Sequence, residues 1–94
     1  MEPAHEIDEL VARFVAGQPF MEFWRAFMDY FASFDDSVLG VDQRARFEAL
    51  YEMVYMGQAG AATDEDRKVG LRGEDELRAA LRDFRVSGDA QTPA

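Results

Sequence analysis

The sequence predicts an all-α protein, a small antiparallel four-helix bundle with a long acidic loop between its third and fourth helices. Apolar residues recur at intervals of three and four in four separate segments, which is the period of amphipathic helices. No segment alternates apolar and polar residues between turn pairs, as strands do. Because 94 residues suit one small domain, we expect a single domain over residues 1–88 and a disordered C-terminal tail over residues 89–94.

The first helix is predicted to run from about Ala4 to Ala16. Pro3 suits its first turn, where a missing N–H is harmless, and Gly17 follows at the position where glycine often ends a helix. Its apolar stripe consists of Ile7, Leu10, Val11, Phe14 and Val15.

The second helix, predicted from Pro19 to about Phe34, is the segment around which the chain is organised. It holds seven of the twelve aromatic residues, namely Phe20, Phe23, Trp24, Phe27, Tyr30, Phe31 and Phe34. Its polar residues form one narrow stripe: Glu22, Arg25, Asp29 and Ser33. A helix this apolar should be covered on most sides, so we expect Trp24 in the core and a cost of about 3–5 kcal/mol for Trp24→Ala.

The third helix is predicted to begin with Asp42 as its N-cap and to end at Gly57. Its apolar stripe is Phe47, Leu50, Tyr51, Val54 and Tyr55. Residues 57–73 lack a lasting period and are rich in glycine, alanine and charge, which predicts a loop. A loop of that length in a compact domain usually indicates function or mobility.

The last helix is predicted to begin near Gly73. Leu77, Leu81 and Phe84 form its buried stripe. The acidic residues Glu74, Asp75 and Glu76 occupy the first turn, and Arg82 and Arg85 are expected in the last turn, both in favourable orientation to the helix dipole.

The charge of the chain is strongly negative and unevenly distributed. Nineteen acidic residues against ten basic residues give a net charge of −9. Residues 29–66 contribute most of it, because they hold nine acidic residues and only Arg44 and Arg46 as bases. This disfavours nucleic acid and anionic membranes as direct ligands and favours a basic protein partner.

The composition also bears on the compartment. The chain has no cysteine, its N-terminus lacks the features of a secretory signal, and no stretch of about 18–20 residues is free of charge. We therefore expect a cytoplasmic protein that does not span a membrane.

Residues that could support catalysis or metal binding are sparse. His5 is the only histidine, so no serine or threonine has an evident general base and no metal site has its usual ligands. The glycines do not have phosphate-binding spacing, and Asp64–Asp66 does not match a calcium loop. The pairs Glu48–Glu52 and Asp35–Asp36 could serve acid–base chemistry, but an acidic chain produces such pairs by chance. We predict no enzymatic activity, no metal and no cofactor.

The acidic middle of the chain is the predicted binding surface for a basic partner. Such a surface accelerates association by long-range attraction. An acidic run such as Asp64–Asp66 is, on its own, more often only a solvated surface. The candidate contact residues are Asp35, Asp36, Asp42, Glu48, Glu52, Asp64, Glu65 and Asp66.

The order of these segments resembles the colicin D immunity-like proteins, a bacterial self-protective immunity family. The resemblance covers about Ile7 to Phe84: a first helix ending in glycine, an aromatic second helix, a third with a LYE-type aromatic face, the Asp66–Arg67 pair, and the final GLRGEDELRAALRDF. It implies an inhibitor that binds the nuclease domain of a toxin, a tRNA-cleaving ribonuclease in the colicin D case. Carboxylates would then occupy the toxin's basic cleft in place of RNA phosphates.

A second interpretation comes from the aromatic residues of the second helix. If some of them are not needed for the core, they could form a face through which the protein self-associates as a homodimer. The protein would then be a small structural or adaptor protein.

Overall fold

The structure, a computed structural model, describes residues 3–87, without the side chain of Asp36. These residues form five α-helices and no strand, so the predicted all-α class is confirmed. The helices are α1 (Pro3–Val15), α2 (Phe20–Ala32), α3 (Val41–Tyr55), α4 (Asp64–Lys68) and α5 (Glu74–Leu81), and a 3₁₀ turn (Asp36–Val38) precedes α3. The predicted disordered tail, residues 89–94, lies outside the described residues.

Helix α1 ends where the sequence predicts, at a glycine. Gly17 has a φ of +127°, a conformation that side chains with a Cβ rarely adopt. The N–H of Gln18 donates to the carbonyl of Arg13 at 3.1 Å, which closes the last turn of α1. The chain can therefore turn within the four residues 16–19 and pack α2 against α1.

The core is built mainly from phenylalanine rings. Phe14 of α1 stacks on Phe23 of α2 at 4.5 Å between ring centroids, and Phe27 continues the contact to Phe47 of α3 at 6.2 Å. Leu77 and Leu81 of α5, both fully buried as predicted, complete this cluster. Four of the five helices thus contribute to one hydrophobic core.

The expectation that α2 is covered on most sides is wrong. Only Phe20, Phe23 and Phe27 of this helix are buried. Trp24 is only partly buried, while Met21 and Phe31 are 46% and 37% exposed. The core contacts of α2 come from α1 and α3. The apolar flank of the helix that carries Met21 and Phe31 stays in contact with solvent. Helix α2 also ends at Ala32, before the predicted Phe34.

Helix α3 begins before the predicted N-cap. Gly40 occupies the N-cap position, and its backbone N–H donates to Oε1 of Gln43 at 3.4 Å. Asp42 lies in the first turn, where its charge still interacts favourably with the helix dipole. Glycine is acceptable at an N-cap, and a glutamine three residues later supplies the reciprocal bond, so the aspartate is not required there.

The predicted loop over residues 57–73 contains a helix, α4. The backbone N–H of Asp66 donates to Oγ1 of Thr63 at 3.1 Å, and the N–H of Thr63 donates to Oδ2 of Asp66 at 2.9 Å. This reciprocal capping box starts a helix that is too short to show an apolar period. The segment is joined to the end of α3 by backbone bonds from Gln58 to Arg72 and from Arg72 to Met56, both 3.0 Å.

Two glycines of this segment are needed for close packing. A Cβ on Gly73 would lie 2.7 Å from the backbone nitrogen of Ala62, and a Cβ on Gly57 would lie 2.7 Å from Cδ2 of Leu77. The clash at Gly73 involves backbone, which cannot rotate away. The glycine content that suggests a free loop in fact allows the segment to approach α5 closely.

Helix α5 is shorter than predicted, and Arg82 and Arg85 do not form its last turn. The helix ends at Leu81, and Nη1 of Arg85 donates to the carbonyl of Phe84 at 2.7 Å. The chain continues into a buried position at Val86, whose N–H donates to Oδ1 of Asp8 at 2.6 Å. Phe84, predicted to be buried, is partly buried against the core.

A polar joint formed by Glu74 and Arg78 connects α5 to the turn between α1 and α2. The Arg78 guanidinium donates to the carbonyls of Phe14 and Gln18 at 2.8 and 3.0 Å and to Oε2 of Glu74 at 3.0 Å. It also lies 4.5 Å from the centre of the Phe14 ring. The guanidinium thus binds one carbonyl in the last turn of α1 and one in the connection to α2.

Glu74 therefore does more than interact with the helix dipole. Its Oε2 accepts from the backbone N–H of Phe20 at 3.0 Å, and its Oε1 accepts from that of Gly60 at 3.3 Å. Burial raises the pKa of Glu74, but the hydrogen bonds from Gly60, Arg78 and Phe20 together lower the pKa below its ordinary value. The carboxylate joins three segments of the chain.

This joint should make stability fall in acid. A carboxyl group whose folded-state pKa is lowered contributes stability that is present above its unfolded pKa, about 4.3 for glutamate, and is lost as the pH falls through the folded value. We expect Glu74→Gln to lower the unfolding free energy at pH 7, and the difference from wild type to vanish as the pH falls below about 4. Urea denaturation of both proteins between pH 7 and pH 3 measures this difference. Glu65→Gln, at an exposed position, is the control and should show a small difference throughout. A Glu74→Gln difference that is constant with pH would contradict the role of the charge.

Candidate functional site

The structure distributes the eight predicted contact residues over three places. Asp35 and Asp36 lie at the connection between α2 and α3, the second of them in the 3₁₀ turn. Asp42, Glu48 and Glu52 lie on α3. The remaining three, Asp64, Glu65 and Asp66, form the first turn of α4.

The acidic residues of α4 are partly engaged in local structure. Asp66 caps its own helix and accepts from Nε2 of Gln58 at 3.2 Å; hydrogen bonds from Thr63 and then Gln58 lower the pKa of Asp66. Asp64 lies 3.4 Å from Nη1 of Arg67 in an exposed ion pair. Because Arg67 and Lys68 follow directly, the negative charge of α4 is largely balanced. Among the acidic side chains of α4, that of Glu65 alone has no hydrogen-bond or ion-pair partner within the described residues.

Helix α3 carries the clearest candidate surface. Its outward side shows five exposed residues at helical spacing, which we call the α3 face: Val41, Ala45, Glu48, Glu52 and Tyr55. Val41 is 84% exposed and Tyr55 is 64% exposed. Within residues 3–87 neither the carboxylate of Glu48 nor that of Glu52 has a hydrogen-bond or ion-pair partner. The face therefore combines two free carboxylates with an exposed aromatic and an exposed aliphatic side chain.

The connection between α2 and α3 forms a second candidate surface. Oδ1 of Asp35 accepts from the backbone N–H of Ser37 at 3.0 Å. Bonding to Ser37, with a smaller contribution from the Arg44 charge, lowers the pKa of Asp35, so its carboxylate is ionised at neutral pH. Val38, one turn further on, is 59% exposed.

A depression of about 260 Å³ opens beside Asp35. We call it the corner pocket; it is lined by Pro3, Tyr30, Ser33, Phe34, Asp35 and Val38. Tyr30 and Phe34 stack at 5.2 Å between ring centroids, and Phe34 is held edge-on against Phe47 at 5.2 Å. Sequence analysis assigned these aromatics to the core and did not predict the pocket. The signal in the sequence that could have indicated the pocket is Val38, an apolar residue that belongs to none of the predicted helical stripes.

Two other depressions lie elsewhere on the described residues, and the larger of them uses its charged groups for structure. The larger, about 440 Å³, is lined by Arg67, Glu74 and Glu76 among others. Nε of Arg67 donates to Oε2 of Glu76 at 3.1 Å, and Glu74 belongs to the joint with Arg78. The third, about 310 Å³, lies between Met53, Met56 and Arg72.

Other features of the described residues bear on chemistry and membranes. His5, exposed on α1, belongs to no group of three or more acidic or histidine side chains that could hold a metal within residues 3–87. No helix in that part of the chain has the length and apolar character required to cross a bilayer. The absence of enzymatic activity stays a prediction.

Comparison with known proteins identifies no relative. No family model, no curated protein and no solved structure matches the chain. The resemblance to colicin D immunity-like proteins, which rests on segment order, therefore stays a hypothesis.

Proposed function

We propose that this is a non-enzymatic binding protein that recognises a basic surface of a partner protein through the α3 face and the adjoining Asp35. The observation that carries the proposal is the composition of the α3 face. Glu48 and Glu52 lie one turn apart, and exposed Val41 and Tyr55 stand at the two ends of the same stripe. Aromatic side chains supply much of the binding energy in protein interfaces, while surrounding charges guide association.

The charge supports a protein partner of opposite sign. A net charge of −9 repels nucleic acid and anionic lipid and attracts a basic protein. The carboxylates of Glu48 and Glu52 have no hydrogen-bond or ion-pair partner among the described residues and so are open to such a partner, whereas Asp64 already contacts Arg67. We therefore infer that α3 contributes more to recognition than α4.

As its biological role we propose that of a cytoplasmic immunity protein that blocks the basic cleft of a toxin, in particular a ribonuclease. The resemblance in segment order supports this role, and so does an acidic face that can substitute for RNA phosphates. We further propose that the core helices form an antiparallel four-helix bundle. The ring contacts of Phe34 with Phe47 and of Phe31 with Tyr51 support opposite directions for α2 and α3.

Self-association is the second candidate function. The exposed flank of α2 supports it, because Met21 and Phe31 are 46% and 37% exposed and follow the same stripe as the partly buried Trp24 and Met28. Light scattering at several concentrations separates the two interpretations. A dimer that Met21→Glu and Phe31→Glu convert to a monomer would favour self-association.

The binding proposal predicts how charge reversal on α3 changes association. We expect Glu48→Lys/Glu52→Lys to slow association with a basic toxin nuclease domain by about tenfold or more at low salt. The rate for wild type should fall as salt rises, because screening acts over about 8–10 Å near physiological ionic strength. Stopped-flow or surface-based kinetics at two salt concentrations, with domains encoded next to this gene as first candidates, measure the effect.

The control for this prediction must carry the same charge change elsewhere. Glu74 and Glu76 are unsuitable, because both hold structure through hydrogen bonds to other segments. Glu9→Lys/Glu22→Lys, at exposed positions of α1 and α2, makes the same charge change and should slow association much less. If this control slows association as strongly as the α3 double variant, only net charge matters and the α3 face is not the contact surface.

A further inference from the structure

The corner pocket has the composition of a receptor for one cationic side chain. Its wall is aromatic, formed by the stacked rings of Tyr30 and Phe34, both partly buried. Its rim carries the carboxylate of Asp35 and the hydroxyl of Ser33. A volume of about 260 Å³ lies just below the roughly 300–1,000 Å³ of small-molecule sites, which suits a single side chain.

The walls of the pocket are held in place before any ligand binds. Phe34 is fixed edge-on by the buried Phe47, and Tyr30 is stacked on Phe34. The Asp35 carboxylate is oriented by the backbone N–H of Ser37 at 3.0 Å. Prearranged groups lose little conformational freedom on binding, which favours affinity.

The charges around the pocket are mainly negative. Burial and then the charge of Glu6 raise the pKa of Tyr30, which places the Glu6 carboxylate near this ring. The positive group of this region is Arg44, whose charge acts on Asp35. A cation over the aromatic rings would therefore meet attraction from the ring faces and from carboxylates.

We propose that the corner pocket binds an arginine side chain of the partner protein, with the guanidinium stacked on Tyr30 and hydrogen-bonded to Asp35. This inference rests on the proposed function, since it names the group by which the basic partner is anchored. Arginine fits better than lysine because its planar guanidinium stacks on aromatic rings and pairs with carboxylates in a fork. The pocket would bind one particular arginine of the partner, in addition to the less specific charge attraction that the α3 face provides.

The test uses blocked arginine, N-acetyl-arginine methylamide, as a probe in an NMR titration of the full chain. We expect saturable shifts confined to residues 30–38 and neighbouring Pro3, with a dissociation constant in the millimolar range expected for one side chain. Asp35→Asn and Tyr30→Leu should each weaken binding about three- to tenfold. The blocked lysine analogue should bind more weakly, and the uncharged citrulline analogue should not bind measurably.

The control variant is Asp42→Asn, which removes one exposed charge outside the pocket and should leave binding unchanged. Shifts spread over all acidic residues, equal binding of citrulline, or no effect of Asp35→Asn would each overturn the proposal.

The proposed function and the arginine pocket can fail independently of each other. If the toxin domain binds wild type and Tyr30→Leu equally but binds the α3 variants poorly, the pocket is excluded and the proposed function stands. If blocked arginine binds as expected but no basic protein does, the pocket remains and the proposed function falls.

Discussion

Arg78→Ala should lower the unfolding free energy by about 3 kcal/mol, because it removes a half-buried guanidinium that donates to two backbone carbonyls and to a half-buried carboxylate. The carbonyls of Phe14 and Gln18 lose their side-chain donor, and Glu74 loses its ion-pair partner. Contact with the Phe14 ring is lost as well. Small domains have total stabilities of roughly 5–15 kcal/mol, so this loss is a large share.

The measurement is the midpoint of urea denaturation, compared with two further variants. Arg78→Lys should recover only part of the loss, since an ammonium group cannot reach two carbonyls and a carboxylate in fork geometry. Arg82→Ala removes the same charge one turn later, at an exposed position, and should change stability by less than about 0.5 kcal/mol. Equal effects of Arg78→Ala and Arg82→Ala would show that the joint contributes little.

The contacts of Glu74 and Arg78 also show why part of the fold could not be predicted from the sequence. Four of the five helices were predictable, because each of the four buries a stripe at helical spacing, for example Ile7, Val11 and Phe14 in α1, and Leu77 and Leu81 in α5. The pairing of Glu74 with the N–H groups of Phe20 and Gly60 depends on residues 54 and 14 positions away. No local pattern in a single sequence encodes such contacts, so the sequence predicts only a helix-dipole role for Glu74 and no role for Arg78.

Helix α4 was missed for a different reason. Five residues are too few to show an apolar period, and none of them is buried. The signal that was available is the capping box of Thr63 and Asp66, with aspartate in place of the more usual glutamate or glutamine. Short helices that begin with a strong cap are better detected from capping pairs than from periodicity.

The candidate site was predictable in its charge and less so in its shape. Acidic residues concentrated on and before α3 are visible in the sequence, and Glu48 and Glu52 are indeed exposed on one side of that helix. The corner pocket depends on how the start of α1, at Pro3, meets the end of α2, and on the stacking of Tyr30 on Phe34. These are tertiary features, and an aromatic at helical spacing looks the same whether it lies in the core or on a pocket wall.

The second large effect on stability is expected at Phe23, on the buried side of α2. Sequence analysis placed the adjacent Trp24 in the core with an expected cost of about 3–5 kcal/mol for its removal. The structure instead leaves Trp24 partly buried and encloses Phe23 completely. Phe23 stacks on Phe14 at 4.5 Å and contacts Phe27 at 5.9 Å, so it connects α1 with the rest of α2.

We therefore expect Phe23→Ala to cost about 3–5 kcal/mol and Trp24→Ala clearly less, although tryptophan is the larger residue. The cost of Phe23→Ala combines lost burial with the cavity left between α1 and α2, which the surrounding rings can fill only in part. At Trp24 water can occupy the vacated space, because the side chain already contacts solvent. Urea denaturation of both variants, with Phe23→Leu as a volume-retaining control that should recover most of the loss, measures the difference. A larger effect at Trp24 than at Phe23 would contradict this expectation and would mean that the flank of α2 that carries Trp24 is covered in solution. A second copy of the chain could cover it, and light scattering of the same samples would then show a dimer.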